Sequence, residues 1–198
     1  MPDALPITHD HIRFIMPYAR NIANFIDPLN DAANRFEINT PRRLAAWLAN
    51  LAHESGEFRY MEEIADGSAY DSREDLGNLD PEAIRVAKAH GSTAGRWFKG
   101  HGPIQITGYY NHRDCGEYLG IDAVNEPRLL ATPIYGCLAA GWFWEPYMRI
   151  NRFADLGDFD ACCDLVNLGR RTPRVGDSNH YAQRLAYYNR ALSLYQQA

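Results

Sequence analysis

The chain has 198 residues, of which 46% are hydrophobic and 23% charged, an ordinary balance for a globular protein that excludes wholesale disorder. The formal net charge of −5 argues against a protein that coats nucleic acid. No segment approaches the roughly 18 apolar residues of a membrane span, and the first residues lack the basic and apolar stretches of a secretory signal. We therefore expect one domain over residues 1–198, made in the cytoplasm, without stable membrane insertion.

Helical patterns dominate the chain. The predicted helices span residues 8–18, 22–36 with a bend near Pro28, 40–54, 81–89, 111–119, 133–144, 158–168 and 177–195. Thr8 is expected to cap the first and Asp177 the last, whose buried face would consist of Tyr181, Leu185, Tyr188 and Leu192. Residues 65–111 are rich in glycine, serine, aspartate and aromatics, which predicts loops and a short hairpin around the helix at 81–89. A mainly α fold with a loop-rich middle follows.

The helix after Thr40 carries the first candidate functional residue. Pro41 suits its first position, where a missing N–H costs nothing. Its apolar residues recur at the spacing of one buried face: Leu44, Trp47, Leu48 and Leu51. Glu54 falls at the edge of that face, and a carboxyl group half-withdrawn from water holds its proton more readily, as a proton donor must. The alternative is an ordinary surface glutamate at a helix C-terminus.

A second acid, Glu63, follows nine residues later. In an unbroken helix the two acids would lie about 13 Å apart along the axis. Gly56 interrupts the helix just after Glu54, so a turn there would bring the acids to opposite walls of one cleft. Two carboxylates that face each other across a cleft are what cleavage of a glycosidic bond requires.

The segment at residues 98–108, FKGHGPIQITG, is the second candidate region. Gln105 and Thr107 alternate with isoleucines, so an extended run would point both polar side chains to the same side. There they would hold a sugar hydroxyl or position a water, whereas the alternative is a threonine that satisfies nearby backbone groups. Trp97 and Tyr109, beside this loop, are the better candidates for stacking on sugar rings; the aromatic residues at 142–147 are expected in the core.

Several motifs together resemble a known family: HESGEF, then Glu63, then AYDSREDLGN, then FKGHGPIQITGYYNH, and further on LLATPIYGCLAAGWFWE and FDACCDLVNLGRR. This arrangement, from about residue 12 to 192, is similar to glycoside hydrolase family 19, in particular to its bacterial and prophage endolysin branch, which is related to the plant chitinases. The resemblance implies a lysozyme-like, mainly α fold with two lobes, a deep substrate cleft and a loop-rich cleft segment at about 65–111.

The resemblance also implies roles for individual residues. Glu54 matches the general acid and Glu63 the general base of an inverting hydrolysis, and Thr107 matches the hydroxyl residue that helps to hold the attacking water. Because Glu62 adjoins Glu63, either could act as the base, although alignment to the family favours Glu63. The matched substrate-binding positions, with the stacking candidates, are Tyr70, Arg73, Trp97, His101, Gln105, Tyr109 and Asn167. His101 stands where an arginine is more common, and Asn167 lies in VNLGRR, which departs from the family's Ile-Asn-Gly-Gly.

The predicted function is that of a peptidoglycan hydrolase, a muramidase that cleaves β-1,4 bonds between N-acetylmuramic acid and N-acetylglucosamine. The alternatives are a chitinase and a non-catalytic cell-wall-binding protein that keeps the fold. No organic cofactor or metal is expected, since the cysteines at 115, 137, 162 and 163 form no CxxC pair and are predicted to be buried. We expect a monomer that acts on peptidoglycan glycan strands in the periplasm, after release by a holin or delivery by a secretion system, with an immunity protein as a possible partner.

Overall fold

The computed structural model of the chain describes residues 5–196. Its helices are α1 (His9–Ile15), α2 (Ala23–Arg35), α3 (Pro41–Glu54), α4 (Pro81–Ala89), α5 (Ala94–Trp97), α6 (Tyr109–Leu119), α7 (Pro133–Trp142), α8 (Asn151–Leu156), α9 (Phe159–Leu168) and α10 (Tyr181–Tyr195). Within residues 5–196 the backbone otherwise forms short 3₁₀ and π turns and two isolated β-bridges, and no β-strand. The predicted mainly α fold is therefore confirmed.

The predicted starts of the early helices are confirmed, and that of the last is wrong. The Thr8 and Thr40 side chains accept hydrogen bonds from backbone N–H groups at the starts of α1 and α3. Asp177 caps no helix, because its carboxylate accepts a 2.8 Å hydrogen bond from the Thr172 hydroxyl. Helix α10 begins only at Tyr181, after His180 in the left-handed conformation.

The buried apolar residues form two hydrophobic clusters, one large and one small. The larger is centred on α3, which is buried along most of its length and packs most extensively against α10, while α2 packs against α7. The smaller joins α4, α5 and the start of α6 through residues such as Val86, Phe98 and Tyr109. All four cysteines are buried, as predicted. Among residues 5–196, no helix combines the length and apolarity that crossing a membrane requires.

A left-handed turn follows α3 and redirects the chain, as the position of Gly56 predicts. Gly56, Glu57 and Phe58 have φ angles of 54°, 64° and 59°, a conformation that is costly for the two residues with side chains. Buried contacts hold them there: the Glu57 carboxylate accepts hydrogen bonds from the Tyr18 N–H (2.5 Å) and the Tyr187 hydroxyl (2.7 Å). The Phe58 ring also packs in the main cluster. The turn therefore fixes the path from Glu54 to the segment that carries Glu63.

Candidate active site

A cavity of about 540 Å³ lies beside the C-terminal end of α3, and we call it the cleft. Seven of the ten site residues predicted from the sequence line it: Glu54, Glu63, Tyr70, Arg73, Gln105, Thr107 and Asn167. The structure thus brings both predicted acids, the threonine and most of the polar residues around them to one cavity. A concave site with convergent polar groups is the form that substrate-binding pockets take.

Glu54 is the last residue of α3, and α10 determines its surroundings. Its Oε1 accepts a hydrogen bond from Nη2 of Arg184, a fully buried residue of α10. The same guanidinium donates to Asn50 Oδ1 (2.8 Å) and to the Asn179 carbonyl (3.0 Å), so its orientation is fixed by three acceptors. The Glu54 side chain is 18% exposed, and it therefore combines a buried cationic partner with access to the cleft.

Glu63 is held by different partners, which belong to the loop-rich segment that follows it. Its Oε1 accepts a hydrogen bond from the Tyr70 hydroxyl (3.0 Å), and its Oε2 accepts one from the Gly100 N–H (3.0 Å). Burial and the negative charge of Glu63 raise the pKa of Tyr70, so the phenol keeps its proton and donates it. Both carboxylate oxygens of Glu63 thus accept a hydrogen bond, one from a side chain and one from the backbone.

Glu62 points away from the cleft, although it is the next residue in the chain. Its carboxylate pairs with Lys99 (3.0 Å) and Arg128 (3.1 Å) and lines a second cavity. Burial acts to raise the pKa of Glu62, but the hydrogen bonds and charges of Lys99 and Arg128 outweigh it and lower that pKa. Of the two neighbouring acids, only Glu63 lines the cleft.

The segment that carries Gln105 and Thr107 is a tight turn, and the predicted extended run is wrong. Two backbone hydrogen bonds between His101 and Ile106 (3.0 and 2.8 Å) close it, and Gln105 adopts a φ of 60°. Both polar side chains nevertheless line the cleft. The Thr107 hydroxyl donates to the Gln105 carbonyl (2.9 Å), as in the local-bond alternative, which leaves the hydroxyl oxygen free to accept a further hydrogen bond.

Three predicted site residues lie outside the cleft. Tyr109 is 6% exposed and packs edge-on against Phe98 in the smaller hydrophobic cluster. Trp97 and His101 line the second cavity. His101 is hydrogen-bonded to buried His112 (3.0 Å), and burial lowers the pKa of His101 to about 4, so the ring is neutral at neutral pH. Sequence spacing alone does not give the direction in which these three side chains point.

The cleft also contains residues that sequence reasoning missed. Asn111, on α6, donates to the Thr107 carbonyl (2.8 Å) and accepts a hydrogen bond from the Tyr147 hydroxyl (3.0 Å). Trp142 and Trp144 are buried, as predicted for the aromatic group at 142–147. The prediction is wrong for Tyr147, which is exposed and lines the cleft together with Phe143. Helical spacing gave no signal for Asn111, because Thr107 precedes the N-cap Gly108 and lies outside α6.

The sequence is similar to a known protein family and to curated plant proteins. The family model of glycoside hydrolase family 19, described as chitinase class I, matches residues 19–189. Endochitinase At2g43620 of Arabidopsis thaliana is 38% identical over 148 residues, which are 72% of this chain and 46% of that protein. Endochitinase At2g43590 of the same plant is 30% identical over 168 residues, which are 82% of this chain and 60% of that protein. The chain spans about half the length of the curated relatives it matches.

The fold of this chain is also found in a solved structure. The crystal structure of chitinase C from Streptomyces griseus matches with a TM-score of 0.74, covering 98% of this chain and 94% of that chain at 19% identity. The fold is thus the lysozyme-like, mainly α fold. Because the family model matches most of the sequence and the folds agree, the chain belongs to glycoside hydrolase family 19.

Proposed function

We propose that the protein is a muramidase that hydrolyses the β-1,4 bond between N-acetylmuramic acid and N-acetylglucosamine in peptidoglycan. One observation supports a hydrolase function most directly. The carboxylates of Glu54 and Glu63 line one cavity and are held there by separate partners. The resemblance of the HESGEF and GPIQIT segments to the endolysin branch of the family supports peptidoglycan as the substrate.

Glu54 is proposed as the general acid. Arg184 contacts Oε1, so the proton to be transferred would be carried on Oε2 and delivered to the glycosidic oxygen as the bond to the anomeric carbon breaks. Glu54 becomes negatively charged in this step, and the buried Arg184 guanidinium beside it stabilises that charge as it develops. Arg184 is therefore proposed as a positioning residue that acts through Glu54.

Glu63 is proposed as the general base, with Thr107 positioning the water. The Thr107 hydroxyl proton is engaged by the Gln105 carbonyl, so its oxygen can accept one proton of a water whose other proton points to Glu63. A water lone pair is then free to attack the anomeric carbon from the face opposite the leaving oxygen. Glu63 takes up the water proton, and the new reducing end forms with inverted configuration.

Chitin hydrolysis is the second candidate function. It is favoured by the matched relatives, which are named endochitinases. Both substrates present the same β-1,4 linkage between N-acetylated sugars, and the acid–base chemistry would be the same. A non-catalytic cell-wall-binding role is less well supported, because a groove that only binds sugar does not require two separately held carboxylates.

The test of the function is analysis of the products from purified peptidoglycan. The digest is reduced with borohydride and examined by mass spectrometry, with colloidal chitin treated in parallel. Reduced muramic acid is the expected product, whereas reduced glucosamine would indicate a glucosaminidase. Fragments from chitin alone would establish the second candidate, and no fragments from either polymer would contradict a hydrolase. The Glu54→Gln protein is the control for contaminating activity.

Gly100 provides a test of how closely the base must be positioned. A Cβ atom at this position would lie 2.5 Å from Gln105 Oε1 and 3.3 Å from Glu63 Oε2. Gly100→Ala must therefore displace the Gln105 side chain and disturb the carboxylate, and a displacement of about 1 Å in a catalytic group can cost about 10²-fold in rate. We expect kcat to fall by about that factor while the protein stays folded.

The matched control is Gly91→Ala. A Cβ atom at Gly91 meets no atom within 4 Å, although its φ of 68° strains any substituted residue. This variant should lose some stability but retain full kcat, and both variants are compared by initial rates and thermal unfolding. Equal activity of the two proteins would show that the contact of Gly100 with Gln105 and Glu63 is unimportant.

A further inference from the structure

A second cavity, of about 530 Å³, lies beside the segment that carries Glu63 but does not share its lining with the cleft. Neighbouring residues divide between the two cavities: Glu62, Lys99 and His101 line the second cavity, whereas Glu63 and Gln105 line the cleft. The β-bridge between Glu62 and His101 and the hydrogen bond from the Glu63 N–H to the Gly100 carbonyl (2.8 Å) join these segments. The two cavities are therefore separated by a thin wall of paired backbone.

The second cavity is lined by charged side chains of both signs: three cations, Arg96, Lys99 and Arg128, and two acids, Glu62 and Glu126. Arg96 is paired with Asp66 (2.9 Å), whereas Lys99 and Arg128 share the Glu62 carboxylate. The Arg128 side chain is 79% exposed. Within residues 5–196, its one ion pair is with the Glu62 carboxylate. An exposed guanidinium at the mouth of a cavity is suited to bind a ligand carboxylate through paired hydrogen bonds.

The remaining lining of the second cavity is largely apolar. Trp97 is fixed by a hydrogen bond from its indole N–H to the Val124 carbonyl (2.9 Å) and by stacking on His90 with ring centroids 4.1 Å apart. Pro127 and Leu129 complete the apolar part of the wall. The cavity thus combines one exposed guanidinium, that of Arg128, with a rigid apolar surface, which suits a ligand that carries carboxylates and small alkyl groups, such as a short peptide.

We infer that the second cavity binds the stem peptide of peptidoglycan while the glycan strand occupies the cleft. This inference rests on the proposed muramidase function. Stem peptides carry free carboxylates and alanine methyl groups, and chitin has neither. Glu62 lines the second cavity and Glu63 lines the cleft, so the two cavities approach each other where the chain passes from one residue to the next. The stem of a muramic acid in the cleft, about 14 Å long when four residues are extended, would cross the wall at this point.

The inference is tested with Arg128→Ala and a matched control, Arg85→Ala. Both arginines are exposed and pair with one glutamate, but Arg85 lies on α4 and pairs with Glu82, away from both cavities. Neither substitution disturbs a buried contact, so both proteins should fold. Glu62 also keeps its ion pair with Lys99 in the Arg128 variant.

The kinetic arm compares intact peptidoglycan with glycan strands from which an amidase has removed the stems. We expect wild type and Arg85→Ala to prefer the intact polymer by about tenfold in kcat/KM, mainly through KM. Arg128→Ala should lose this preference and match wild type on the stripped strands. An equal rate of wild type on both polymers, or an unchanged preference in Arg128→Ala, would overturn the inference.

The binding arm needs no hydrolysis. A synthetic stem tetrapeptide is titrated into each protein by isothermal calorimetry, together with a version whose carboxylates are amidated. Wild type should bind the peptide with free carboxylates. Its affinity for the amidated peptide should be at least tenfold lower, and Arg128→Ala should bind the free-acid peptide at least tenfold more weakly than wild type does. Equal binding of both peptides, or no binding, would contradict a peptide carboxylate site. If wild type cleaves only chitin, the proposed function fails, and this titration still decides the peptide site.

Discussion

Glu54→Gln is expected to lower kcat on peptidoglycan by about 10³-fold or more, because the amide has no proton to give to the leaving oxygen. The side chain keeps its shape, and its carbonyl oxygen can still accept the hydrogen bond from Arg184. Substrate binding should therefore be retained, so the loss should appear in kcat, with KM little changed. Initial rates of release of reducing ends from solubilised glycan strands measure both parameters.

Stability has to be followed in the same variant, because Glu54 is the acidic partner of a fully buried arginine. Arg184 keeps its hydrogen bonds to Asn50 and to the Asn179 carbonyl, so we expect a decrease of about 1–3 kcal/mol in the free energy of unfolding. The control is Glu117→Gln, the same change at an exposed residue of α6, which should alter neither activity nor stability. Substantial turnover by folded Glu54→Gln would exclude Glu54 as the acid.

The backbone framework was largely predictable because its determinants are local. Thr40 and Pro41 at the start of α3 and the apolar spacing within it act over a few residues, and the structure has that helix where the pattern predicts it. The turn at Gly56 was also predictable. The contacts that hold this turn were not, since Tyr18 and Tyr187 reach Glu57 from distant parts of the chain.

The electrostatics of the candidate site depended on long-range packing and could not be predicted. The sequence pattern predicts that Leu185 lies on the buried face of α10. In the structure the helix is rotated, so Arg184 is buried and Leu185 is only partly buried. An arginine at the edge of an apolar stripe is normally expected at the surface, and only the packing of α10 on α3 shows that it meets Glu54. The direction of a side chain in a loop is equally non-local, as Trp97 and Tyr109 illustrate.

Exchanging each of the two neighbouring acids for glutamine should identify the general base. We expect Glu63→Gln to lower kcat by about 10²- to 10⁴-fold, because the amide cannot take up the water proton. The substitution also places an NH₂ group against one of two donors, the Gly100 N–H or the Tyr70 hydroxyl, so water positioning suffers as well. Glu62→Gln should change kcat less than threefold, since Glu62 does not line the cleft.

The comparison is made on stripped glycan strands, so that any effect of Glu62 on the second cavity does not contribute. Loss of the Glu62 ion pairs with Lys99 and Arg128 should lower the free energy of unfolding by no more than about 1 kcal/mol, because the pairs are partly exposed. The opposite order of the two rates would make Glu62 the base. Its carboxylate would then have to leave both cations and enter the cleft, which would require the wall between the cavities to rearrange.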